Sequence, residues 1–309
     1  MWFSAVQSMS VAVTHFHRCN RAVNKKPCDQ HMGAQRVAQY LVSSPPCFER
    51  ITARAVAAYQ RDGAVCIRGA LRGWVDTVAN GIARNLAFPG PHFESLPLLA
   101  SSARFMNDYC NWRRIPEYEK FVMESPAKVM ARNVMASSSS IFYHEHMLVK
   151  EPLADSPTPW HHDQPYYPID GEQMLSMWFP VDPVPLDATL LFVKGSHMRG
   201  YYAPRKFETQ LNYEGSDELP SIPSVADAPH EHEVLGWALQ PGDCVLFSGK
   251  TLHGAVGNSS SSTSRRVLTT RWLGDDARFA PRKWAISPPY TGGLKAGDPM
   301  ECALFPRLQ

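Results

Sequence analysis

The order of the helical and strand-like segments is the feature of this sequence that most constrains its fold. Apolar residues recur at helical spacing in two early segments, 48–60 and 74–86. After residue 140 strand-like runs dominate, at residues 141–149, 174–181, 189–193, 244–247 and 265–273. Helices first and strands later, without alternation of the two, favour an antiparallel barrel of two sheets with helices packed outside one of them. We therefore expect a mostly β fold with flanking helices.

The chain has the length of one sizeable domain. Its 309 residues are 44% hydrophobic, and this length does not require two domains. Residues 1–45 differ in composition, because no acidic residue occurs before Asp29 while basic residues stand among serines and apolar residues. We expect residues 46–309 to form a single domain. Residues 1–45 would be an N-terminal extension, either disordered or a mitochondrial targeting segment.

Charge and cysteine content narrow the possible partners and the location. The net charge of +2 is nearly neutral, and the chain has no basic run of the kind that follows nucleic acid. No apolar segment approaches the roughly 20 residues that a membrane helix needs. The seven cysteines are scattered without a CxxC pair, which indicates a reducing compartment. We expect a cytoplasmic protein, or a mitochondrial one, that binds a small molecule, does not bind nucleic acid and has no membrane span.

A candidate metal motif lies at residues 158–165, with the sequence Thr-Pro-Trp-His-His-Asp-Gln-Pro. In an extended strand, side chains two residues apart leave the same face, so His161 and Asp163 can reach one metal while His162 points away. A distant histidine, His253, would complete the ligand set of a mononuclear iron site with positions open for a co-substrate and dioxygen. The pair alone is weak evidence, because His161 could equally be an ordinary hydrogen-bonded histidine.

The sequence around His253 supports the same interpretation. A Pro-Gly-Asp turn at 241–243 leads into the apolar run 244–247, and a short turn then delivers His253 to the edge of a sheet. The alternative is a turn histidine with its polar end in solvent.

An arginine after this histidine would suit a co-substrate with two carboxylates. If such a molecule chelates iron at one end, its other end needs a planar partner with a permanent charge. Arg265 fits best by position, and Arg271 on the same strand face is the second candidate. A solvated strand charge is the alternative for either residue.

The sequence contains five short blocks, at residues 62–65, 147–152, 158–164, 195–197 and 242–258. In their order and spacing these blocks resemble the phytanoyl-CoA dioxygenase-like family of Fe(II)- and 2-oxoglutarate-dependent oxygenases. The resemblance runs from about Phe48 to the C-terminus. It implies a double-stranded β-helix, which is a cupin-like jelly-roll. It also implies that the catalytic residues His161, Asp163 and His253 bind Fe(II), and that 2-oxoglutarate and O2 are co-substrates.

The resemblance further implies a pocket for 2-oxoglutarate. Arg265 would hold the distal carboxylate, and Trp178 and Met147 match positions that line this pocket in relatives. Three departures leave the metal ligands untouched. Ala255 replaces a common serine, the loop before Arg265 is one residue longer, and the turn before Gly195 reads Asp187-Ala188 where relatives often carry Asn-Gly. The choice between Arg265 and Arg266 therefore rests on the alternation of the strand.

The acid of the motif bears on the reaction. Related halogenases carry a small residue in its place, so Asp163 favours hydroxylation of a C–H bond in a small organic metabolite, or another oxidation, with succinate and CO2 as co-products. The alternatives are a non-catalytic metal-binding jelly-roll, acting as a sensor or scaffold, and a cupin-like metal-dependent hydrolase or isomerase. Arg265 distinguishes an oxygenase from a hydrolase, because a hydrolase needs no buried cation to bind a dicarboxylate.

Residues beside the motif are candidates for the substrate pocket. Trp160, Gln164, Tyr166 and Tyr167 flank the metal motif and could form a wall, although core packing explains aromatic residues there equally well. The segment 198–234 is long and weakly periodic, which is typical of a lid or of a surface loop without a role.

Overall fold

The structure, a computed structural model, describes residues 40, 42–97, 103–207, 209–225, 227 and 229–309. The α-helices within these residues are α1 Ala53–Asp62, α2 Val75–Ala87, α3 Pro116–Glu124 and α4 Ala127–Val134. The β-strands are β1 Val42–Ser43, β2 Ala64–Ile67, β3 Glu94–Pro97, β4 Arg104–Tyr109, β5 Ser140–Lys150, β6 Thr158–His161, β7 Ile169–Asp170, β8 Met174–Pro180, β9 Leu190–Val193, β10 Val234–Leu235, β11 Cys244–Ser248, β12 His253–Ala255, β13 Arg265–Leu273, β14 Arg278–Phe279 and β15 Arg307–Leu308. The predicted N-terminal extension lies almost wholly outside the described residues, so its boundary and its targeting role stay predictions.

The first helix begins later than its sequence pattern indicated. The Thr52 side chain accepts a backbone hydrogen bond of 3.2 Å and caps α1, which ends at Gly63 in a left-handed conformation (φ 82°). The residues before the cap are not helical, because Phe48 forms a parallel bridge with Ile67 of β2. The second predicted helix agrees with α2 to within one residue, whereas α3 and α4 were not predicted. None of the described helices has the length and apolar character needed to cross a membrane.

Two sheets carry the fold. The larger one has the strand order β2-β11-β8-β13-β5-β4-β3, with β15 added beside β5, and the smaller one has the order β1-β10-β9-β12-β6. Neighbouring strands are antiparallel in both sheets except for β1 and β10, which are parallel. This confirms the predicted jelly-roll architecture with flanking helices, although the two sheets do not close into a barrel.

The larger sheet is buried on both faces. One face packs against the helices in a core that includes Phe121, Phe179 and Leu268. The other face packs against the smaller sheet around Trp178 and Val267. Successive residues of β5, β8 and β13 therefore point alternately to the helices and to the space between the sheets, here called the interior.

Candidate metal centre

A strand pairing in the smaller sheet brings the two predicted histidines together. His161 ends β6 and His253 begins β12, and they are direct partners in the antiparallel ladder. Their ring centroids lie 4.1 Å apart, with an angle of 51° between the planes. Both side chains are buried, and the ring of Phe247 lies 4.6 Å from that of His253. Two residues that are distant in sequence are therefore fixed in space by regular backbone pairing.

Hydrogen bonds to the backbone orient both imidazole rings. Nδ1 of His161 lies 2.8 Å from the carbonyl oxygen of Pro159, and Nδ1 of His253 lies 2.9 Å from that of Thr251. A carbonyl oxygen can only accept, so each Nδ1 carries the proton and each Nε2 has a free lone pair. Burial lowers the pKa of His161 to about 3 and also lowers the pKa of His253, which favours neutral rings. Both rings therefore have the form that a metal ligand requires.

Asp163 lies beside the two histidines, but the backbone conformation that places it there differs from the prediction. Strand β6 already ends at His161, and the backbone at Asp163 is helical (φ −71°, ψ −43°) at the start of a short 3-10 turn. The turn, and not strand alternation, brings Oδ1 of Asp163 to 3.7 Å from Nε2 of His161 and 3.7 Å from Nε2 of His253. His162 points away, and its Nε2 accepts a hydrogen bond of 3.0 Å from the backbone N–H of Tyr202.

The other carboxylate oxygen of Asp163, Oδ2, is held by two side chains on the side away from the histidines. Oδ2 accepts a hydrogen bond of 2.5 Å from Oγ of Ser176 and lies 3.3 Å from Nη2 of Arg271. Burial acts to raise the pKa of Asp163, but Arg271, the two histidines and Ser176 together hold it well below its usual value. The carboxylate is therefore ionised, and its Oδ1 faces the two imidazole nitrogens.

These three side chains fit a divalent metal ion. Their ligand atoms all lie within 4.8 Å of one another, and all three side chains are buried. No other His, Cys, Asp or Glu of the described residues joins this group. A metal held here would keep coordination positions for other molecules. Two imidazole nitrogens and one carboxylate oxygen are the donor set typical of iron(II) oxygenases.

A pair of buried cations lies at the far end of β13. Arg265 and Lys150 are direct partners in the pairing of β13 with β5, and both are buried. The guanidinium of Arg265 donates to the carbonyl oxygens of Ala188 and Val256. The ammonium of Lys150 donates to the carbonyl oxygens of Ser156, at 2.6 Å, and Val256. The two cations thus share one acceptor, the Val256 carbonyl.

This pair has no carboxylate in direct contact within the described residues, and Asp155 acts on Lys150 only from a greater distance. Neither cation forms a salt bridge with a carboxylate in the described part of the chain. Burial lowers the pKa of Arg265 to about 10, and burial together with Arg265 lowers the pKa of Lys150 well below its usual value. The neighbouring Arg266 turns to the opposite face, where its Nη2 lies 2.7 Å from Asp182. Two buried cations that form no ion pair would favour the binding of a carboxylate between or beside them.

Trp178 and Met147, both predicted to line the 2-oxoglutarate pocket, lie in different cores. Trp178 packs with Val267 and Leu148 in the interior. Met147 precedes Leu148 in β5 and points to the opposite face, where it packs in the core beneath the helices. The structure therefore does not place Met147 in a pocket with Arg265. Strand β5 is buried on both faces, so its hydrophobic pattern did not reveal which residues face the interior.

Two of the four predicted substrate residues lie away from the metal donors. Trp160 packs in a separate core, where its ring lies 5.7 Å from that of Tyr40. Gln164 is buried, and its Nε2 donates to the carbonyl oxygens of Ile169 and Gly171 at 3.2 and 2.9 Å. Both side chains support the local structure and do not face the site.

The other two predicted substrate residues lie close to the site. The ring of Tyr166 is 6.2 Å from that of His161, and the ring of Tyr167 is 5.3 Å from that of His144. Within the predicted lid segment 198–234, the ring of Phe207 lies 4.8 Å from that of His161. The Tyr166 hydroxyl donates to the carbonyl oxygen of Arg205 at 2.7 Å. This part of the segment therefore packs against the ring of one metal donor, His161.

Three residues that the sequence analysis did not assign to the site belong to it. They are Ser176, Lys150 and His144, and all three point to the interior. Ser176 precedes Trp178 by two positions, so strand alternation starting from Trp178 would have found it. A lysine at the end of an apolar run gave a weaker signal for Lys150.

Comparisons with known sequences agree with this arrangement. The family described as "Phytanoyl-CoA dioxygenase (PhyH)" matches residues 59–267. The multifunctional dioxygenase prhA of Penicillium brasilianum is 25% identical over 252 residues, which are 72% of this chain and 74% of that protein.

Solved structures share the fold. The non-heme alpha ketoglutarate dependent carbocyclase SnoK from nogalamycin biosynthesis is similar with a TM-score of 0.67 and 22% identity, covering 86% of this chain and 100% of that one. The epimerase SnoN, in complex with Fe3+, alpha ketoglutarate and nogalamycin RO, has a TM-score of 0.64 and 21% identity, covering 83% and 98%. At such identities the likeness establishes the architecture alone.

Proposed function

Because the chain belongs to the phytanoyl-CoA dioxygenase family of Fe(II)- and 2-oxoglutarate-dependent oxygenases, we propose that it hydroxylates a C–H bond of a small organic metabolite. The enzyme class follows from the family: the protein is an oxidoreductase that uses iron, 2-oxoglutarate and O2. The co-products of the proposed reaction are succinate and CO2. The observation that supports the proposal most is the presence of both a metal donor set and a separate buried cation pair in one interior.

The proposed metal ligands are Nε2 of His161, Oδ1 of Asp163 and Nε2 of His253. The backbone carbonyl oxygens that accept from the two Nδ1–H groups keep both lone pairs directed at one point. Ser176 and Arg271 hold the far oxygen of Asp163, so that Oδ1 faces the same point. The protein therefore fixes the ligand geometry before a metal arrives.

The proposed partner of the distal 2-oxoglutarate carboxylate is Arg265, with Lys150 beside it. A permanently charged guanidinium in a buried place gives a strong and oriented contact to a carboxylate. Trp178 packs along the same interior and would confine the carbon chain of the co-substrate. A metal-dependent hydrolase would have no use for this cation pair.

Iron, 2-oxoglutarate and O2 together supply the oxidant that removes hydrogen from the substrate. The residues of this chain supply position and exclusion of water. Phe207 and Tyr166 cover the ring of His161, and a hydrogen bond from Tyr166 to the Arg205 carbonyl ties the two segments together. A substrate bound beneath this cover would be held next to the open side of the metal.

The choice of hydroxylation rests on Asp163 and is open to a direct test. The carboxylate occupies the place that a halide needs in halogenases, so halogenation is disfavoured. Among proteins of the same fold, SnoK is named a carbocyclase and SnoN an epimerase, so the fold does not fix the outcome. Turnover in isotopically labelled dioxygen separates the possibilities. Hydroxylation places labelled oxygen in both product and succinate, whereas ring closure or epimerisation labels succinate alone.

Anaerobic spectroscopy tests the proposed residue roles. The protein is loaded with Fe(II), and 2-oxoglutarate is added while the visible charge-transfer band of the chelate is followed. Arg265→Ala should weaken 2-oxoglutarate binding by about 2–5 kcal/mol, the usual effect of truncating one partner of a buried charge pair. This corresponds to roughly 30-fold to 4,000-fold in Kd.

Arg266→Ala is the matched control for this experiment. It removes the adjacent arginine, whose side chain points to Asp182 on the opposite face, and should leave the band unchanged. Equal behaviour of the two variants would remove the proposed role of Arg265. Absence of any band in the wild-type protein would contradict the proposed function as a whole.

A further inference from the structure

The Arg271 side chain lies beside the metal donors and is only partly paired. It points to the interior from β13, opposite Ser176 of β8 and His144 of β5, and it is 7% exposed. Its Nη2 makes the contact of 3.3 Å with Oδ2 of Asp163. Its Nε and Nη1 are buried and have no acceptor at hydrogen-bonding geometry among the residues that the structure describes, although the Tyr167 hydroxyl lies beside the guanidinium.

Asp163 cannot satisfy this guanidinium alone. Oδ2 of Asp163 already accepts the shorter hydrogen bond from Ser176, and Oδ1 faces the two imidazole nitrogens. With a divalent metal bound at those nitrogens, the charge of the carboxylate would be shared with the metal. Arg271 would then hold two buried donors and an unneutralised charge, an arrangement that is costly without a further acceptor.

The distal carboxylate of 2-oxoglutarate cannot supply that acceptor. Its proposed partner, Arg265, lies six positions earlier in the same strand, which is about 20 Å along the backbone at roughly 3.3 Å per residue. The interior therefore contains two separate cationic places, Arg265 with Lys150 at one end and Arg271 at the metal end. The distal carboxylate of the co-substrate accounts for the first place, and the second place can accept a different carboxylate.

A row of aromatic rings leads from Arg271 towards the surface. His144 faces Arg271 across the strand pairing, and its Nε2 also has no partner in the described residues. The ring of His144 lies 5.3 Å from that of Tyr167 and 6.4 Å from that of Tyr109. The ring of His92 stacks on Tyr109 at 4.4 Å, with 6° between the planes, and both residues are partly exposed. These four residues are here called the aromatic row.

We infer that Arg271 binds a carboxylate of the substrate and that the aromatic row contacts a ring system attached to that carboxylate. The inference rests on the proposed function, since it names the substrate class of the same site. Carboxylate oxygens accept from the two unpartnered N–H groups and neutralise the guanidinium. Aromatic side chains in offset or edge contact favour a flat, unsaturated framework over a flexible chain.

Anaerobic titration of the enzyme loaded with Fe(II) and saturating 2-oxoglutarate tests this inference. The probes are 1-naphthoate and 2-naphthoate, each compared with its methyl ester, which keeps the ring system and lacks the charge. Binding is measured from the change in the charge-transfer band and from the rise in melting temperature. We expect at least one acid to bind roughly tenfold or more tightly than its ester.

Three variants separate a direct contact from an indirect one. Arg271→Met keeps the length of the side chain and removes its charge, so it should lose the preference for the acid. Arg271→Lys keeps the charge and should retain part of that preference. Ser176→Ala is the matched control, because it also removes a contact to Oδ2 of Asp163 but leaves the cation in place. It should retain the preference once iron is saturating.

Several results would overturn the inference. These are equal binding of acid and ester by the wild-type protein, no binding of either acid, and a preference that persists in Arg271→Met. A preference that is lost equally in Ser176→Ala would show that Arg271 acts only through Asp163, which also overturns it. Failure of the proposed function is separate, because it appears as the absence of the band before any probe is added. The melting temperatures still compare acid with ester in that event.

Discussion

Replacement of Ser176 by alanine removes the shorter of the two contacts that hold Asp163 in place. The hydroxyl lies 2.5 Å from Oδ2 of Asp163, and Ser176 is fully buried, so solvent water has no direct access to replace it. The contact that remains is the one of 3.3 Å with Arg271. The carboxylate can then rotate and turn Oδ1 away from the two imidazole nitrogens.

The expected loss is in metal affinity. Removing a partner that orients a metal ligand costs about 10-fold to 100-fold in affinity, which is about 1.4–2.8 kcal/mol. The affinity for 2-oxoglutarate at saturating iron should change less, because Arg265 and Lys150 lie at the other end of β13. The variant should therefore separate the two ligands, with iron affected and the co-substrate largely spared.

A chelator competition titration of Fe(II) under anaerobic conditions measures this loss. Ser140→Ala is the matched control, since Ser140 is a buried serine of β5 whose hydroxyl lies 3.5 Å from the carbonyl oxygen of Leu308. It should bind iron as the wild-type protein does. If Ser176→Ala also binds iron with unchanged affinity, the hydrogen bond from Ser176 to Oδ2 does not orient Asp163. The claim that this contact turns Oδ1 towards the two imidazole nitrogens would then be wrong.

Three further changes test other parts of the molecule. Lys150→Met should weaken 2-oxoglutarate binding by about 1.5–3 kcal/mol, roughly 10-fold to 150-fold. It should also raise the melting temperature of the ligand-free protein, because a buried ammonium without a direct counter-ion is removed. An unchanged 2-oxoglutarate titration would contradict the role of Lys150. Burial raises the pKa of Glu145 from 4.5 to about 8, so the stability from its bound proton is full below pH 4.5 and is lost as the pH rises through about 8. Glu145→Gln should therefore flatten the pH dependence of urea unfolding in that window, and an unaltered slope would count against it. Phe207→Ala should uncover the ring of His161 and increase, by about a few-fold, the succinate released without substrate. Phe88→Ala, at a side chain that is 64% exposed, is its control, and equal succinate release from both variants would argue against a covering role.

The sequence was most informative where one local rule dominated. Strand β13 has the predicted bounds, because its apolar and β-branched residues follow a strand-like pattern that alternates with inward-facing arginines. The inward direction of Arg265 also followed from alternation along this strand, and the contact of Arg266 with Asp182 agrees with it. The helix starting near residue 48 was misjudged because a distant strand, β2, binds the segment before Thr52.

The candidate site was less predictable, because it depends on contacts between distant segments. The proximity of His161 and Asp163 arises from a turn after β6, whereas the sequence argument assumed a continuing strand. Met147 was placed in the pocket by the family resemblance alone, and β5 shows no alternation of burial that could have corrected this expectation. The pairing of Lys150 with Arg265 depends on the register of two strands that are far apart in the chain. No local pattern carries that register.

The distribution of charge in the interior links the parts of the site to one another. Arg265, Lys150 and Arg271 bring basic groups into the space between the sheets, and Asp163 is the acidic partner that one of them contacts there. Such an interior lowers the stability of the ligand-free protein, since buried cations without counter-ions are costly. Bound iron adds positive charge at Asp163 and thereby strengthens the attraction for anions at both ends of β13. A dianionic co-substrate offsets part of this charge, and a ligand present at 100 times its Kd adds about 2.7 kcal/mol of stability. The remaining positive charge, at Arg271, is the one that the inferred substrate carboxylate would neutralise, so the same electrostatics that destabilise the empty protein favour binding of iron, co-substrate and an acidic substrate.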